Sequence, residues 1–129
     1  MIKINSFEFK YEIIYHKDFE SDLKKILKKY RQYKEKITVS IRHYSKILQK
    51  FGIKVIPNDP HFDFIKNADN LYEIRLTKKK PNLRIIFSVV DSITIIYLNI
   101  FYEKSKNDYD KYIDIAKQRF RDFKEKGGD

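Results

Sequence analysis

One arginine in this sequence is well placed to bind a phosphate group. Arg84 directly follows Leu83 at the beginning of an apolar stretch, LRIIFSVV, that is predicted to form a strand. Side-chain alternation along that strand places Arg84 on the face opposite to Leu83 and Ile85. A planar guanidinium can hold a phosphate through two parallel hydrogen bonds. The structural alternative is an arginine at a strand edge that only neutralises Glu73 or Asp91.

A second pair of charged residues lies on the preceding predicted strand. Glu73 and Arg75 alternate with Tyr72, Ile74 and Leu76, so both are expected on the more polar face of that strand. Glu73 could accept a proton from a substrate, or it could form an ion pair with Arg75, which is the favoured interpretation. Together with Arg84, these residues offer phosphate binding and proton transfer.

Histidines, the usual proton carriers near neutral pH, are scattered along the chain. His16 follows a predicted strand and His43 lies in a predicted helix, and both are interpreted as ordinary surface or edge residues. His61 lies in a proline-containing loop and stays a candidate. Asp59 and Asp63 flank it, but no second ligand cluster accompanies them, so a loop is preferred to a metal site.

Several classes of enzyme are excluded by what the sequence lacks. It contains no cysteine, which rules out disulfides, thiolate metal sites and cysteine nucleophiles. It also has no glycine-rich phosphate loop and no GxSxG motif, which argues against kinases, NTPases and serine hydrolases. We therefore expect neither a bound metal nor a cofactor.

The chain is strongly basic. It carries 28 lysines and arginines against 18 acidic residues, for a formal net charge of +10. Such an excess favours a polyanionic partner, although A/T-rich codon usage would also enrich lysine and isoleucine together. Lys78, Lys79 and Lys80 form a run in a predicted turn and would add long-range charge. No apolar run reaches the ~20 residues of a membrane span and no secretion signal is recognisable, so we expect a soluble cytoplasmic protein.

The hydrophobic pattern predicts a single α+β domain over residues 1–129. Residues 8–15 read as a first strand, and Asp18 is expected to cap the helix that follows. The remaining predicted elements are helical stripes at 19–33 and 37–51 with Gly52 as a stop signal, a loop at 53–64, strands at 72–77, 83–90 and 93–102, a helix at 109–123 and a frayed tail at 124–129. The two stripes are expected to form a helix hairpin, and the three later strands an antiparallel meander.

The segment from residue 71 to 106 resembles a known family. LYEIRL, a short basic turn and NLRIIFSVVDSITIIYLNIFYEKSK are similar to the corresponding region of RelE/HigB-like toxins, members of the RelE/ParE superfamily of type II toxin–antitoxin systems. The element order matches over nearly the whole chain. The resemblance implies a RelE-like fold and an endoribonuclease that cuts messenger RNA without a metal, often on the ribosome, and is held inactive by an antitoxin. The alternatives are a ParE-like DNA gyrase inhibitor and a non-catalytic basic nucleic-acid-binding domain.

The resemblance also assigns roles to individual residues. Arg84 matches the arginine that supports the scissile phosphate, whereas Glu73 departs from a position that commonly carries a basic residue. The catalytic residues implied are Arg84, Lys104, Tyr109 and Glu73, and the RNA-binding residues are Arg75, Lys78, Lys79, Lys80, Tyr102, Lys106 and His61. The basic residues are expected to converge at one end of the meander and to lower the pKa of Tyr109 or of a lysine. Arg84 is expected on an exposed strand face.

Overall fold

Residues 9–68, 70–77 and 81–126 are described by the structure, which is a computed structural model. Short 3₁₀ turns at Arg31–Tyr33 and Gly52–Asn58 accompany the main elements. The strands and helices are β1 (Glu12–Tyr15), α1 (Phe19–Lys29), α2 (Lys34–Phe51), β2 (Phe62–Phe64), β3 (Tyr72–Arg75), β4 (Leu83–Val89), β5 (Thr94–Tyr102) and α3 (Lys106–Glu125).

The strands form one mixed sheet in the order β1-β5-β4-β3-β2. β1 runs parallel to β5, and the other neighbours are antiparallel. The α+β class is confirmed. The predicted antiparallel meander of three strands is confirmed as β3, β4 and β5, but a further strand, β2, was missed: it lies inside the predicted loop 53–64 and pairs with β3. Three residues are too few to show the alternation by which a strand is recognised.

The beginning of the chain folds mostly as the pattern predicts. The first strand starts at Glu12 rather than at residue 8, which lies outside the described residues. Asp18 precedes α1, but its side chain does not cap the helix. Instead, the Asp18 backbone N–H donates to His16 Nδ1 at 3.1 Å. His16 is 6% exposed, so its interpretation as a surface residue was wrong.

The helices are bounded by recognisable signals. Two helices form where two stripes are present, because the 3₁₀ turn at Arg31–Tyr33 interrupts the chain between them. Gly52 ends α2 with φ 64°, and an added Cβ would lie 2.6 Å from the Tyr11 ring. Ser105 caps α3 by accepting the Asp108 N–H at 3.2 Å. This helix extends to Glu125, past the predicted beginning of the frayed tail at residue 124, and residues 127–129 of that tail lie outside the described residues.

The sheet is covered on both faces. α1 and α2 pack on one face and α3 packs on the other, which gives two separate apolar clusters. The first cluster contains Phe19, Ile37, Leu48, Ile74, Leu83, Ile85, Phe87 and Tyr97, and the second contains Ile86, Ile96, Leu98, Phe101, Ala116 and Phe120. Within the described ranges, no helix is both long enough and apolar enough to cross a membrane.

A β-bulge in β5 changes which side chains face α3. Ile86 is paired with Asn99, whereas Phe87 is paired with Tyr97, so β5 contains one additional residue, Leu98. Leu98 packs in the α3 cluster, and Asn99 Nδ2 donates to the Tyr112 carbonyl oxygen of α3 at 2.9 Å. Two consecutive side chains therefore face α3, and the alternation is reversed from this point to the end of the strand.

Candidate functional site

The candidate site is built around Arg84, near the beginning of β4. Its Nη1 donates to Glu73 Oε2 at 2.6 Å, and its Nε forms an ion pair with Glu103, which follows β5. The Arg84 side chain is 15% exposed and that of Glu73 only 4%. The expectation of an exposed arginine was therefore wrong, because α3 and both carboxylates cover this face of the sheet.

Tyr109 on α3 closes the cluster from above the sheet. Its hydroxyl donates to Glu73 Oε1 at 3.0 Å, and the Arg84 guanidinium carbon lies 5.4 Å from the centre of its ring. Glu73 thus accepts one hydrogen bond on each carboxylate oxygen, from two different elements of the fold. The position of the carboxylate is strongly restricted by these two donors.

The protonation states of the cluster follow from burial and charge. Burial by itself disfavours the charged guanidinium, but the hydrogen bond and charge of Glu73, with the charge of Glu103, raise the pKa of Arg84 above its ordinary value. Burial and then the negative charge of Glu73 raise the pKa of Tyr109. The prediction that nearby cations would lower the pKa of Tyr109 was wrong, since the closest charge to its hydroxyl is an anion. Tyr109 is therefore a proton donor at neutral pH.

Arg75 borders the cluster on the side of β2. Its Nη2 donates to Asp63 Oδ2 at 3.1 Å and lies 3.9 Å from Glu73 Oε1. Glu73 is therefore paired more closely with Arg84 than with Arg75, the partner favoured by the sequence. The two arginines are opposed by three carboxylates, those of Asp63, Glu73 and Glu103. The cluster is not a basic patch.

One nitrogen of Arg84 remains available to a ligand. Nη1 is occupied by Glu73 and Nε faces Glu103, whereas Nη2 makes no hydrogen bond to any residue that the structure describes. Carboxylates on two sides fix the plane of the guanidinium, so that Nη2 has a defined direction. The arrangement can offer a positioned positive donor, a carboxylate and a phenol at one point.

Several predicted site residues lie elsewhere. Lys104 and Tyr102 line a cleft between α1 and α3, and the Tyr102 ring packs 5.5 Å from that of Tyr30. Lys106 is exposed at the first position of α3. The expected convergence of Lys104 with Arg84 was therefore wrong, because the reversed alternation after the bulge directs Glu103, and not its neighbours, toward Arg84.

The His61 side chain also lies away from the cluster, although its backbone carbonyl oxygen accepts the Arg75 N–H at 2.6 Å. The His61 ring packs against Tyr44 of α2 with a centroid distance of 4.7 Å, and its Nδ1 lies 3.1 Å from Asp59 Oδ1. These contacts hold it on the α2 side of the sheet, whereas Tyr109 lies on the α3 side. The lysines at positions 78–80, proposed to bind RNA, lie outside the described residues.

Two polar residues of the Arg84 site were missed. Glu103 approaches Arg84, and Asn82 donates to Glu103 Oε2 at 3.3 Å while its carbonyl oxygen accepts the Glu103 N–H at 2.9 Å. Continuing the β4–β5 register beyond the pair of Leu83 with Tyr102 would have placed Asn82 opposite Glu103. The bulge shifts that register by one residue. Counting paired residues outward from the β4–β5 turn does not detect this shift.

Comparison with known families agrees with part of the resemblance. Residues 28–121 match the family described as Phage derived protein Gp49-like, DUF891, and the match covers well over half of the chain. The chain belongs to this Gp49-like family. It is a family of toxin-like proteins of toxin–antitoxin systems. The finer assignment to the RelE/ParE superfamily stays a prediction. No curated protein matches the chain.

All residues of the Arg84 cluster lie within the matched region. The cluster comprises Asp63, Glu73, Arg75, Asn82, Arg84, Glu103 and Tyr109. By contrast, β1 and most of α1 precede the match. In the part of the chain that the structure describes, no group of three His, Cys, Asp or Glu side chains is arranged to hold a metal ion.

Proposed function

We propose that this Gp49-like protein is the toxin of a type II toxin–antitoxin pair and that it cleaves messenger RNA as a metal-independent endoribonuclease. The observation that carries the proposal is the Arg84 guanidinium, fixed by Glu73 and Glu103 and open at Nη2, with the Tyr109 hydroxyl beside it. A positioned cation next to a carboxylate and a phenol is a suitable set of groups for phosphoryl transfer that uses the RNA 2′-OH as nucleophile.

In the proposed reaction, the 2′ oxygen attacks the adjacent phosphorus as Glu73 accepts the 2′-OH proton. Arg84 Nη2 donates to a non-bridging oxygen, where negative charge develops in the transition state. Tyr109 donates its proton to the departing 5′ oxygen, and the P–O5′ bond breaks. The products are a 2′,3′-cyclic phosphate and a 5′-hydroxyl, and no water or metal is consumed in this step.

The Tyr109–Glu73 hydrogen bond supports a return path for the proton. After the step, Glu73 carries the proton taken from the 2′-OH and Tyr109 has lost its own. The two oxygens are 3.0 Å apart, so direct transfer restores the starting protonation states. The raised pKa of Tyr109 favours recovery of its proton. The pair would therefore act as acid and base without a histidine.

The partners follow from the proposed function. A family of toxin-like proteins indicates a cognate antitoxin protein as the inhibitor. Messenger RNA is the proposed substrate, and the ribosome is the proposed place at which it is met. The basic charge of the chain is consistent with both RNA partners.

The experiment compares wild type with Arg84→Lys, Tyr109→Phe and the control Arg42→Ala, an exposed arginine on α2. Induction in cells followed by primer extension should show cleaved messages for wild type and for the control. Loss of a transition-state donor is expected to slow cleavage of purified RNA by about 10²- to 10³-fold in both cluster variants. Products with 5′-phosphate and 3′-hydroxyl ends, or loss of cleavage in EDTA, would refute the mechanism.

A second function is favoured by one observation. Glu73 already neutralises Arg84, and the cluster has more carboxylates than arginines, so these residues can equally hold β3, β4 and α3 together. A ParE-like gyrase inhibitor, or a nucleic-acid-binding domain without chemistry, would need no more than this. Toxicity with intact messages, together with inhibition of gyrase in a supercoiling assay, would select the inhibitor.

A further inference from the structure

A second polar surface lies on the other side of the α3 N-terminal turn. α1, α3 and the end of β5 enclose an open cleft of about 530 Å³. Its cationic side chains are Lys25, Lys29, Lys104, Lys111 and Arg119, and its acidic side chains are Asp22 and Asp108. We call this surface the basic cleft.

The walls of the basic cleft are fixed relative to each other. Arg119 on α3 donates to Asp22 on α1 at 2.6 Å and to the Leu98 carbonyl oxygen at 2.8 Å. A single guanidinium thus connects both helices to the sheet. Because Asp22 balances the charge of Arg119, the free charge of the cleft comes from its lysines.

The lysines of the basic cleft are available to a ligand. Lys25, Lys29, Lys104 and Lys111 are exposed, and none of them forms an ion pair within the described ranges. Asp108 is the one acidic side chain of the cleft that does not bind Arg119. The Arg84 cluster, by contrast, contains fewer arginines than carboxylates. Of these two surfaces, the basic cleft therefore attracts a polyanion more strongly than the Arg84 cluster does.

Aromatic rings accompany these lysines. Lys29 Nζ lies 5.9 Å from the centre of the Tyr102 ring. Tyr112 stacks on Phe101 at 4.4 Å with an interplanar angle of 12°, which fixes its orientation in the wall. Cations interleaved with aromatic faces are typical of surfaces that bind single-stranded nucleic acid, because lysines contact phosphates and rings stack on bases. An acidic protein partner would not need the rings.

We propose that the basic cleft binds the backbone of single-stranded RNA and delivers it to the Arg84 cluster. The inference rests on the proposed function for the identity of the polyanion. Adjacent residues connect the two surfaces, since Glu103 contacts Arg84 whereas Lys104 lines the cleft. On α3, Tyr109 contacts Glu73 of the cluster, and Tyr112, three residues later, lines the cleft. RNA held in the cleft would pass the beginning of α3 within reach of Arg84.

The test separates RNA binding from RNA cleavage. A fluorescein-labelled twelve-nucleotide 2′-O-methyl RNA cannot be cut by 2′-OH attack, and its binding is followed by anisotropy as KCl is raised. The cleft variant carries Lys25→Gln, Lys29→Gln, Lys104→Gln and Lys111→Gln. The control variant carries Lys46→Gln, Lys50→Gln, Lys54→Gln and Lys66→Gln, which are exposed lysines outside the cleft. Both variants lose the same charge.

The cleft variant is expected to bind at least tenfold more weakly than wild type. Its plot of log K against log salt should be shallower by about 3, since each phosphate contact to a single strand contributes about 0.7. The control variant should stay within twofold of wild type. Equal weakening in both variants, or unchanged binding by the cleft variant, would overturn the inference even if wild type cleaves RNA. If the cleft variant lost binding to poly-glutamate but kept its binding to RNA, the cleft would be assigned to an acidic protein and the inference would be overturned.

Discussion

Arg84 neutralises a carboxylate that is almost completely buried, so its removal should destabilise the protein. Arg84→Ala deletes the 2.6 Å contact to Glu73, whose side chain is 4% exposed. Breaking a buried ion pair by removing one partner costs about 3–5 kcal/mol. Glu73 keeps the Tyr109 hydroxyl at 3.0 Å and Arg75 at 3.9 Å, so we expect the lower end of that range, about 3 kcal/mol.

Urea unfolding monitored by circular dichroism measures this loss. With an m-value of about 1.5 kcal/mol/M, the midpoint should fall by about 2 M. Arg42→Ala, an exposed position on α2, should change the free energy of unfolding by less than about 0.5 kcal/mol. Adding Glu73→Gln to Arg84→Ala removes the uncompensated charge and should restore about half of the loss. A cost below about 1 kcal/mol for Arg84→Ala, or strictly additive effects in the double variant, would refute the reasoning.

Three further predictions concern pH and backbone geometry. Burial and the charge of Glu73 raise the pKa of Tyr109, so the folded state keeps this proton to a higher pH than the unfolded chain does. The free energy of unfolding should therefore fall as pH rises above about 10. In Tyr109→Phe, urea titrations should show a smaller fall over the same pH range. Burial, followed by the charge of Arg119, lowers the pKa of His16, so the free energy of unfolding should fall as pH drops below about 6.5. His16→Asn should remove this pH dependence, since the asparagine side chain can still accept the Asp18 N–H. Gly52→Ala places a methyl group against the Tyr11 ring on a backbone with φ 64°. Its free energy of unfolding, measured by thermal unfolding, should be lower than that of wild type by more than about 1 kcal/mol.

The sequence predicted the elements well where apolar residues follow a long regular period. The stripes of α2 and α3 and the alternation of β4 and β5 each extend over seven or more residues. β2 was missed because it has three residues. The capping role of Asp18 was wrong because its backbone is already helical, with φ −93° and ψ −5°, and its side chain makes no cap hydrogen bond. Short elements and local polar contacts carry little signal in the pattern.

The candidate site was predicted in part for a related reason. Glu73, Arg84 and Tyr109 do meet, because alternation assigns the two strand residues to one face and the helical stripe brings Tyr109 over that face. Tyr102 lies on the face away from the cluster because Leu98 adds one residue to β5 and reverses the alternation after it. A single inserted residue thus exchanges the side chains that face the cluster with those that face the basic cleft. The hydrophobic pattern of β5 does not show where this residue is inserted.

The parallel pairing of β1 with β5 has a consequence for folding during synthesis on the ribosome. Glu12 is paired with Thr94, so the first strand has no partner until most of the chain has been synthesised. Arg84 and Tyr109 are likewise brought together only when β4 and α3 are both available. Contacts between such distant parts of a chain slow folding, because a long loop must close before they form. For the proposed toxin, a nascent chain would lack the β1–β5 pair and its reaction centre until β5 and α3 have been synthesised, and so could not attack its own message before then.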